Sequence, residues 1–373
     1  MKIQIALQKI YKAFFIGCFF IIAFCNISYA QIHAKKNLVI VTIDGVRWQE
    51  IFSGADSSLL FSNKFISTDS AEKIQQYWNT SPVKRREMLF PFLWNIIAKQ
   101  GQLYGNRQYG NNMQVKNRYW FSYPGYNEIF SGYPDTLINS NDYPANPNEH
   151  FLSFINKQPG YKNKVAAFTN WSAFGRILNE EKNDFIISYG NKSLPGSITS
   201  KSKVLLALSN MQSYMPALWE TDRLDGLTYA ITKEYLEGFK PKIIYLSLGE
   251  TDEWAHSGKY DFYLDAAHKA DAMLQDLWQT LQVNPFYRNN TYLLITTDHG
   301  RGIDSNWTSH NNKIPLSNET WMAAMGPGLA AAGEIKTKEN IFNAQLAQTM
   351  ASLLSLHFHS NHPVDKKIEL LKK

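Results

Sequence analysis

Cysteine is almost missing from this sequence: Cys18 and Cys25 are the only two, and both fall within the first thirty residues. A chain without cysteine beyond position 25 has no disulfide framework, so its stability has to come from a buried core. Net charge is also small. Lys and Arg total 38 against 32 Asp and Glu, and Lys2, Lys9 and Lys12 stand in the first thirty residues with no acid among them. From residue 31 onward the balance is 35 basic to 32 acidic, a net +3. An excess that small excludes the basic stripe of a protein that binds duplex nucleic acid. Internal repeats, low-complexity tracts and long runs of like charge are absent too, which leaves a globular chain rather than a repeat array.

Long apolar runs are scarce. The one that stands out, Ala13 to Cys25, is shorter than the ~20 residues a membrane span needs. It follows the three lysines and precedes Ser28-Tyr29-Ala30, with small residues at both cleavage-specificity positions. That pattern predicts a secretory signal peptide over residues 1–30, cut between Ala30 and Gln31. The expectation is export to a periplasmic or extracellular space with no stable membrane anchor. Residues 31–373 are long enough for one large domain with a substantial core.

Three β-branched-rich runs each lead to an acid: Asn37 to Ile43 before Asp44, Lys242 to Leu248 shortly before Asp252, and Thr291 to Thr297 before Asp298. Runs of this length without strict alternation suit strands buried on both faces. Helical patterning is expected over Phe90–Gln100, Glu149–Lys157, Ser202–Trp219, Leu224–Gly238, Tyr263–Gln282 and Ile341–Leu356, and a short helix over Gly125–Phe130 starting near Ser122. Strands alternating with helices predict an α/β fold, a mostly parallel central sheet with helices on both faces. Ligands bind such sheets outside the carboxyl ends of the strands, where all three acids fall. The Pro- and Asn-rich stretch from Ser131 to Asn148 reads as a long surface loop.

Four fragments carry chemistry: Asp44-Gly45, Ser122-Tyr-Pro-Gly-Tyr126, Asp252-Glu-Trp-Ala-His256, and Asp298-His299-Gly300 with His310 after it. Carboxylate oxygen and neutral imidazole nitrogen together suit a borderline metal such as zinc. Asp and His four apart share a face if the segment makes one helical turn. Three aspartates and three histidines are enough for two divalent ions with positions open to substrate.

In their order and spacing these fragments resemble the alkaline phosphatase superfamily, most closely its nucleotide pyrophosphatase/phosphodiesterase branch. That branch has a strand-end Asp-Gly, a hydroxyl nucleophile in a segment like Thr-Phe-Pro-Asn-His, then Asp-x-x-x-His, Asp-His-Gly and a later lone His. The resemblance spans most of residues 31–373. It implies an alkaline phosphatase-like catalytic domain, with Asp252, His256 and His310 on one metal and Asp44, Asp298, His299 and the Ser122 oxygen on the other. It further implies that Ser122 is the nucleophile of a metal-dependent phosphoric ester hydrolase, a phosphodiesterase or phosphomonoesterase acting on a small-molecule phosphate ester through a phosphoserine. A phosphate-binding Asn is expected downstream, and Asn141 is the candidate. Ser stands where the branch usually has Thr, and Gly125-Tyr126 where it has Asn-His. Sulfatases need Arg at the position of Tyr126. The alternatives are a sulfatase-like or phosphotransferase member, or a silent metal- or glycan-binding relative. Arg47 and Arg301 flank the metal motifs and suit either substrate contact or a structural salt bridge. His357, His359 and His362 are expected at the surface.

Overall fold

The computed structural model describes residues 36–219 and 221–373; the predicted signal segment and its cleavage point lie outside them. The run Asn37–Ile43 forms strand β1, buried along its whole length. It pairs in parallel with β6 (Ile243–Leu248) on one side and β7 (Thr291–Thr296) on the other. The three acid-tipped strands are therefore neighbours at the centre of one sheet. Next to β6 lie β4 (Val165–Thr169) and β5 (Ile186–Tyr189), both parallel. Next to β7 lies β9 (Met322–Met325), the antiparallel member, followed by β2 (Gln102–Tyr104) and β10 (Gly333–Glu334). The order is β10-β2-β9-β7-β1-β6-β4-β5, a mostly parallel sheet as expected. A separate small sheet consists of β3 (Asn111–Gln114) between β11 (Glu339–Phe342) and β8 (Glu319–Thr320).

Alternate residues of the central strands feed two cores. Leu38, Ile40, Tyr245 and Leu294 pack with Tyr123, Tyr126, Ile129 and Phe130 of helix α1 (Ser122–Ser131) and with Phe151, Leu152 and Ile155 of α2 (Phe151–Lys157). Val39, Val41, Ile244, Leu246, Leu293 and Ile295 pack on the other face with Tyr260, Tyr263, Leu264 and Leu274 of a long helix that spans Tyr260–Val283. Each face of a parallel sheet needs such a cover, which is why the strands read as continuous apolar runs.

Two expected helices are shorter than their patterns. The 202–219 segment is helical only as α3 (Lys203–Gln212), started by the Ser202 hydroxyl accepting from Leu205 N. Pro216 follows; it has no N–H to continue the ladder and biases Met215 away from the helical region. In the 341–356 segment, Ile341 belongs to β11, where it pairs with Met113, and the helix is only α7 (Leu346–Leu353). The remaining named helices are α4 (Asp225–Phe239), α5 (Glu250–His256) and α6, the Tyr260–Val283 helix. The 90–100 segment is helical with a π-turn at Leu93–Ile97, and the Asp271 carboxylate accepts from Phe92 N and Leu93 N at its start.

Candidate active site

The register of the central strands brings the site together. Ile43 of β1 stands opposite Leu248 of β6, and Thr42 opposite Thr296 of β7. Asp44, Gly249 and Asp298 thus leave the sheet at one edge. The turn from β6 into α5 needs Gly249, because a Cβ there would lie 1.9 Å from Asn170 Nδ2. The start of α5 is capped from α4: the buried Asp225 carboxylate accepts from Gly249 N at 2.8 Å and Glu250 N at 3.0 Å. Glu250 Oε1 in return accepts from Asp225 N at 2.9 Å, so two helix starts satisfy each other's orphan N–H groups.

One turn of α5 then places Asp252 Oδ2 3.1 Å from His256 Nε2, as the four-residue spacing predicts. His256 Nε2 also lies 2.9 Å from His310 Nε2. Asp252, His256 and His310 offer ligand atoms within 4.8 Å of one another, and so do Asp44, Asp298 and His299. The two trios adjoin: His299 Nε2 is 3.4 Å from Asp44 Oδ1, 3.4 Å from Asp298 Oδ2 and 3.9 Å from Asp252 Oδ1. The His299 and His310 rings stack at 3.9 Å. All six predicted metal ligands come together at one place: Asp44, Asp252, His256 and His310 line a cleft, and Asp298 and His299 are buried directly behind them.

The donor set fits cations. Asp44 Oδ1 and Asp298 Oδ2 are buried and accept no hydrogen bond among the described residues, although an unpaired buried carboxylate oxygen is costly. His299 Nδ1 donates to Gly300 O at 2.9 Å and His310 Nδ1 faces Trp120 O at 3.4 Å. With each Nδ1 committed to a carbonyl, Nε2 is the ring atom turned toward the cleft, free to give its lone pair to a cation when it carries no proton. Burial alone would lower His299, but Asp298, Asp44 and Asp252 outweigh it and lift its pKa to about 9. Burial and then Asp44 raise Asp298 well above the usual carboxylate range. Carboxylates crowded together in this way call for positive charge among them, whether a proton on His299 or a cation in its place.

Ser122 is buried at the first turn of α1, with Oγ 3.2 Å from His299 Nε2. Phe121, not Ser122, is the N-cap. The capping bond comes from Asn141, whose Oδ1 accepts from Tyr123 N at 3.0 Å. A helix start ordinarily presents several free N–H groups to an anion, and here few are left. Tyr123 N is taken, Pro124 has none, and Gly125 N donates to Phe121 O at 3.0 Å. The hydroxyl is what this turn presents. Asn141 arrives from the long 132–150 loop and lines a cleft of about 200 Å³ with Asp44, Ser122, Asp252, His256 and His310.

The same cleft includes residues that sequence reasoning missed: Asn170, Trp171, Asp222 and Glu253. Asn170 follows the end of β4, the position that singled out the aspartates on neighbouring strands, and its Nδ2 donates to Asp222 Oδ2 at 2.9 Å. Burial together with nearby carboxylates pushes Asp222 up to about 6 and Glu253 up to about 8. Tyr126 turns out to be a support: its phenol donates to Asp44 Oδ2 at 2.7 Å from the fully buried core face of α1. Thr251 Oγ1 holds the Asp44 carbonyl at 2.5 Å.

Both flanking arginines are structural. Arg47 is wholly buried and pairs with Glu50, which also accepts from the Tyr260 hydroxyl at 2.9 Å. Arg301 binds Asp252 directly from Nη1 and donates from Nε and Nη2 to the Trp307 and Thr308 carbonyls. His357 and His359 are exposed, as expected, and His362 stacks on Tyr133 at 5.1 Å.

Residues 220–357, which hold five of the six predicted ligands, match the model of the Metalloenzyme superfamily. No curated protein sequence matches the chain. Among solved structures, the wild-type alkaline phosphatase PafA superposes with TM-score 0.59 at 10% identity, over 90% of this chain and 98% of that one. The phosphonate monoester hydrolase of Agrobacterium radiobacter gives TM-score 0.56 at 11% identity, over 90% and 76%. BT1596, a 2-O GAG sulfatase, gives 0.52 at 11%, over 88% and 72%. The fold is alkaline phosphatase-like. These neighbours span several ester chemistries and do not single out the nucleotide pyrophosphatase/phosphodiesterase branch.

Proposed function

We propose that this chain is an exported phosphoesterase that hydrolyses small-molecule phosphomonoesters or phosphodiesters through a phosphoserine at Ser122. The observation that carries this reading is the Ser122 hydroxyl 3.2 Å from His299 Nε2, where the two trios of donors adjoin. Asp252, His256 and His310 would hold one divalent cation, and Asp44, Asp298, His299 and the Ser122 oxygen a second, with zinc suited to the mixed nitrogen and oxygen donors. When bound, such ions lower the pKa of an adjacent hydroxyl and neutralise charge on a phosphoryl group.

The residues supply positioning. Ser122 sits on a helix whose start is fixed by Asn141 and whose core face is locked by Tyr123 and Tyr126, so Oγ is held for in-line attack on phosphorus. The new bond joins Oγ to phosphorus as the ester oxygen departs with the bonding pair; the seryl proton is released to solvent, and the departing oxygen takes one up. Water then cleaves the phosphoserine and restores the hydroxyl. Asn141 has its oxygen committed to Tyr123 N, which leaves its amide N–H₂ to donate to a phosphoryl oxygen. Tyr126 fixes the Asp44 carboxylate and occupies the position where a sulfatase carries Arg. Export rests on the signal pattern of residues 1–30.

The test is turnover by the zinc-loaded protein of nitrophenyl phosphate, a nitrophenyl phosphodiester and nitrophenyl sulfate. Turnover of either phosphate ester well above that of the sulfate is the expected result. Sulfate turnover alone would establish the sulfatase-like alternative, and no turnover of any of the three would favour a silent relative.

A further inference from the structure

Glu128 lies on α1 six residues after Ser122, is fully buried, and does not line the cleft. Its carboxylate accepts from four N–H groups. Oε1 takes Lys116 N at 2.7 Å and Ala344 N at 2.9 Å; Oε2 takes Asn117 N at 2.7 Å and Asn117 Nδ2 at 2.9 Å. Asn117 is itself buried, and its Oδ1 accepts from Tyr119 N and Trp120 N, both at 3.0 Å. Trp120 has φ +59°, a left-handed conformation that a bulky side chain holds only when its surroundings over-determine it. The next residues are Phe121, the cap, and Ser122. The carbonyl of Trp120 is the one that faces His310 Nδ1 at 3.4 Å.

We propose that Glu128 and Asn117 are positioning residues: they hold Trp120 in its left-handed conformation, so that one backbone segment both delivers Ser122 and fixes the tautomer of His310. A carboxylate is needed because all four groups it meets are donors, and an amide in its place would turn its own N–H₂ against at least one of them. Neither side chain lies in the cleft, so their influence passes through Trp120. Partners of this kind set the orientation and basicity of a metal-binding histidine.

The inference rests on the two-metal reading of the site. Its test uses Glu128→Gln, Asn117→Asp and the double variant, with Zn²⁺ affinity measured against a chromophoric chelator and kcat and KM measured on a nitrophenyl phosphate ester. Asn117→Asp sets two carboxylates against each other. In the double variant the introduced amide donates to the introduced carboxylate, which restores the side-chain bond with reversed polarity and leaves only the backbone N–H of residue 117 without its acceptor. Each single variant should lose roughly 10- to 100-fold in Zn²⁺ affinity and in kcat, with KM little changed. The double variant should recover about tenfold relative to the product of the two losses. Asn117→Ser, which retains an acceptor for Tyr119 N and Trp120 N and leaves the backbone bonds to Glu128 intact, is read if Glu128→Gln does not fold; a several-fold loss is expected. Parent-like Zn²⁺ affinity and kcat in that variant or in both singles would overturn the strut while leaving the two-metal site standing. So would losses that simply multiply in the double variant. A parent protein that binds no Zn²⁺ would bring down both readings together.

Discussion

Arg301 and Asp252 form a direct ion pair in which the guanidinium, wholly buried, donates from Nη1 to Oδ1. Burial would raise Asp252, but Arg301, and after it His256 and His310, hold it well below the usual carboxylate range. The same guanidinium bonds the Trp307 carbonyl at 2.8 Å and the Thr308 carbonyl at 2.7 Å, which anchors the segment leading to His310. Arg301→Ala leaves a buried carboxylate without its partner, a loss of about 3 kcal/mol or more. Because a bound cation would share the compensation, the loss in denaturant unfolding should be larger in chelator than in Zn²⁺. An equal loss in both would mean that Arg301 and the metal do not act on the same carboxylate.

Gly45 and Gly328 separate conformational strain from lack of room. Both have positive φ, +62° and +77°. A Cβ on Gly45 would lie 2.5 Å from Asp252 Oδ1 and 3.0 Å from Arg301 Nη1, whereas one on Gly328 meets nothing within 4 Å. Gly328→Ala should cost about 1 kcal/mol of strain and leave Zn²⁺ binding unaltered. Gly45→Ala should in addition displace Asp252 and weaken Zn²⁺ binding at least tenfold. Isothermal titration of both variants checks this; similar Zn²⁺ affinities would contradict the crowding argument.

Most members of the two trios were legible because they follow patterns that survive in one dimension, while His310 was marked only by the motif order of the resemblance. Asp44 and Asp298 follow β-branched runs, and Asp252 and His256 are one helical turn apart. What escaped reading depends on distances between elements. Asn170 follows a strand too, but an amide followed by Trp announces no metal chemistry, and its partner Asp222 arrives from a loop 52 positions later. Tyr126 looked like a departure from a family motif; its hydrogen bond to Asp44 exists only once α1 packs on β1. Helix lengths were overestimated where the apolar pattern continued past a breaker, at Pro216, or through a strand, at Ile341. Charge at Arg301 was visible, but its commitment to Asp252 was not, since the pair spans 49 residues.

Chelation should be felt as lost stability. Ions that bind only the folded chain stabilise it by mass action, about 2.7 kcal/mol per site at a free concentration a hundredfold above Kd. The melting temperature in Zn²⁺ should therefore exceed that in chelator by several degrees. Reductant should have no effect, since no cysteine follows Cys25. Coincident melts with and without chelator would mean that the six donors bind no ion.

His150 predicts a pH dependence away from the cleft. It caps α2, with Nδ1 accepting from Ser153 N at 3.2 Å and Nε2 facing Leu178 O at 3.1 Å. Burial lowers its pKa from 6.5 to about 4, so the folded chain keeps it neutral where the unfolded chain protonates it. The unfolded state then binds more protons between these values. Stability from this group is complete above pH 6.5 and is lost as pH falls toward 4, about 3 kcal/mol in all. His150→Gln can mimic the acceptor and donor without titrating. Its unfolding free energy should fall less than the parent's between pH 7 and pH 4.5, and parallel pH profiles would rule the assignment out.

Ser122 and Asn141 divide two roles that would ordinarily fall on one residue at a helix start. A serine there is most often a cap, and its loss costs about 1 kcal/mol. Here the cap bond runs from Tyr123 N to Asn141 Oδ1, while Ser122 Oγ faces His299 Nε2. Stability and turnover should therefore separate. Asn141→Ala should lower the unfolding free energy by about 1 kcal/mol and reduce turnover only in part, through the position of α1 and the lost amide donor. Ser122→Ala should leave stability within about 0.5 kcal/mol of the parent and two ions bound, yet reduce phosphate ester turnover by several orders of magnitude. Ser122→Thr retains a hydroxyl and should keep a measurable fraction of the activity, since the added methyl group must fit beside His299. Stopped reactions of the parent with a ³²P-labelled phosphate ester should retain label on the protein, and Ser122→Ala should retain none. Parent-like turnover by Ser122→Ala, or label persisting on it, would show that the hydroxyl is not the nucleophile.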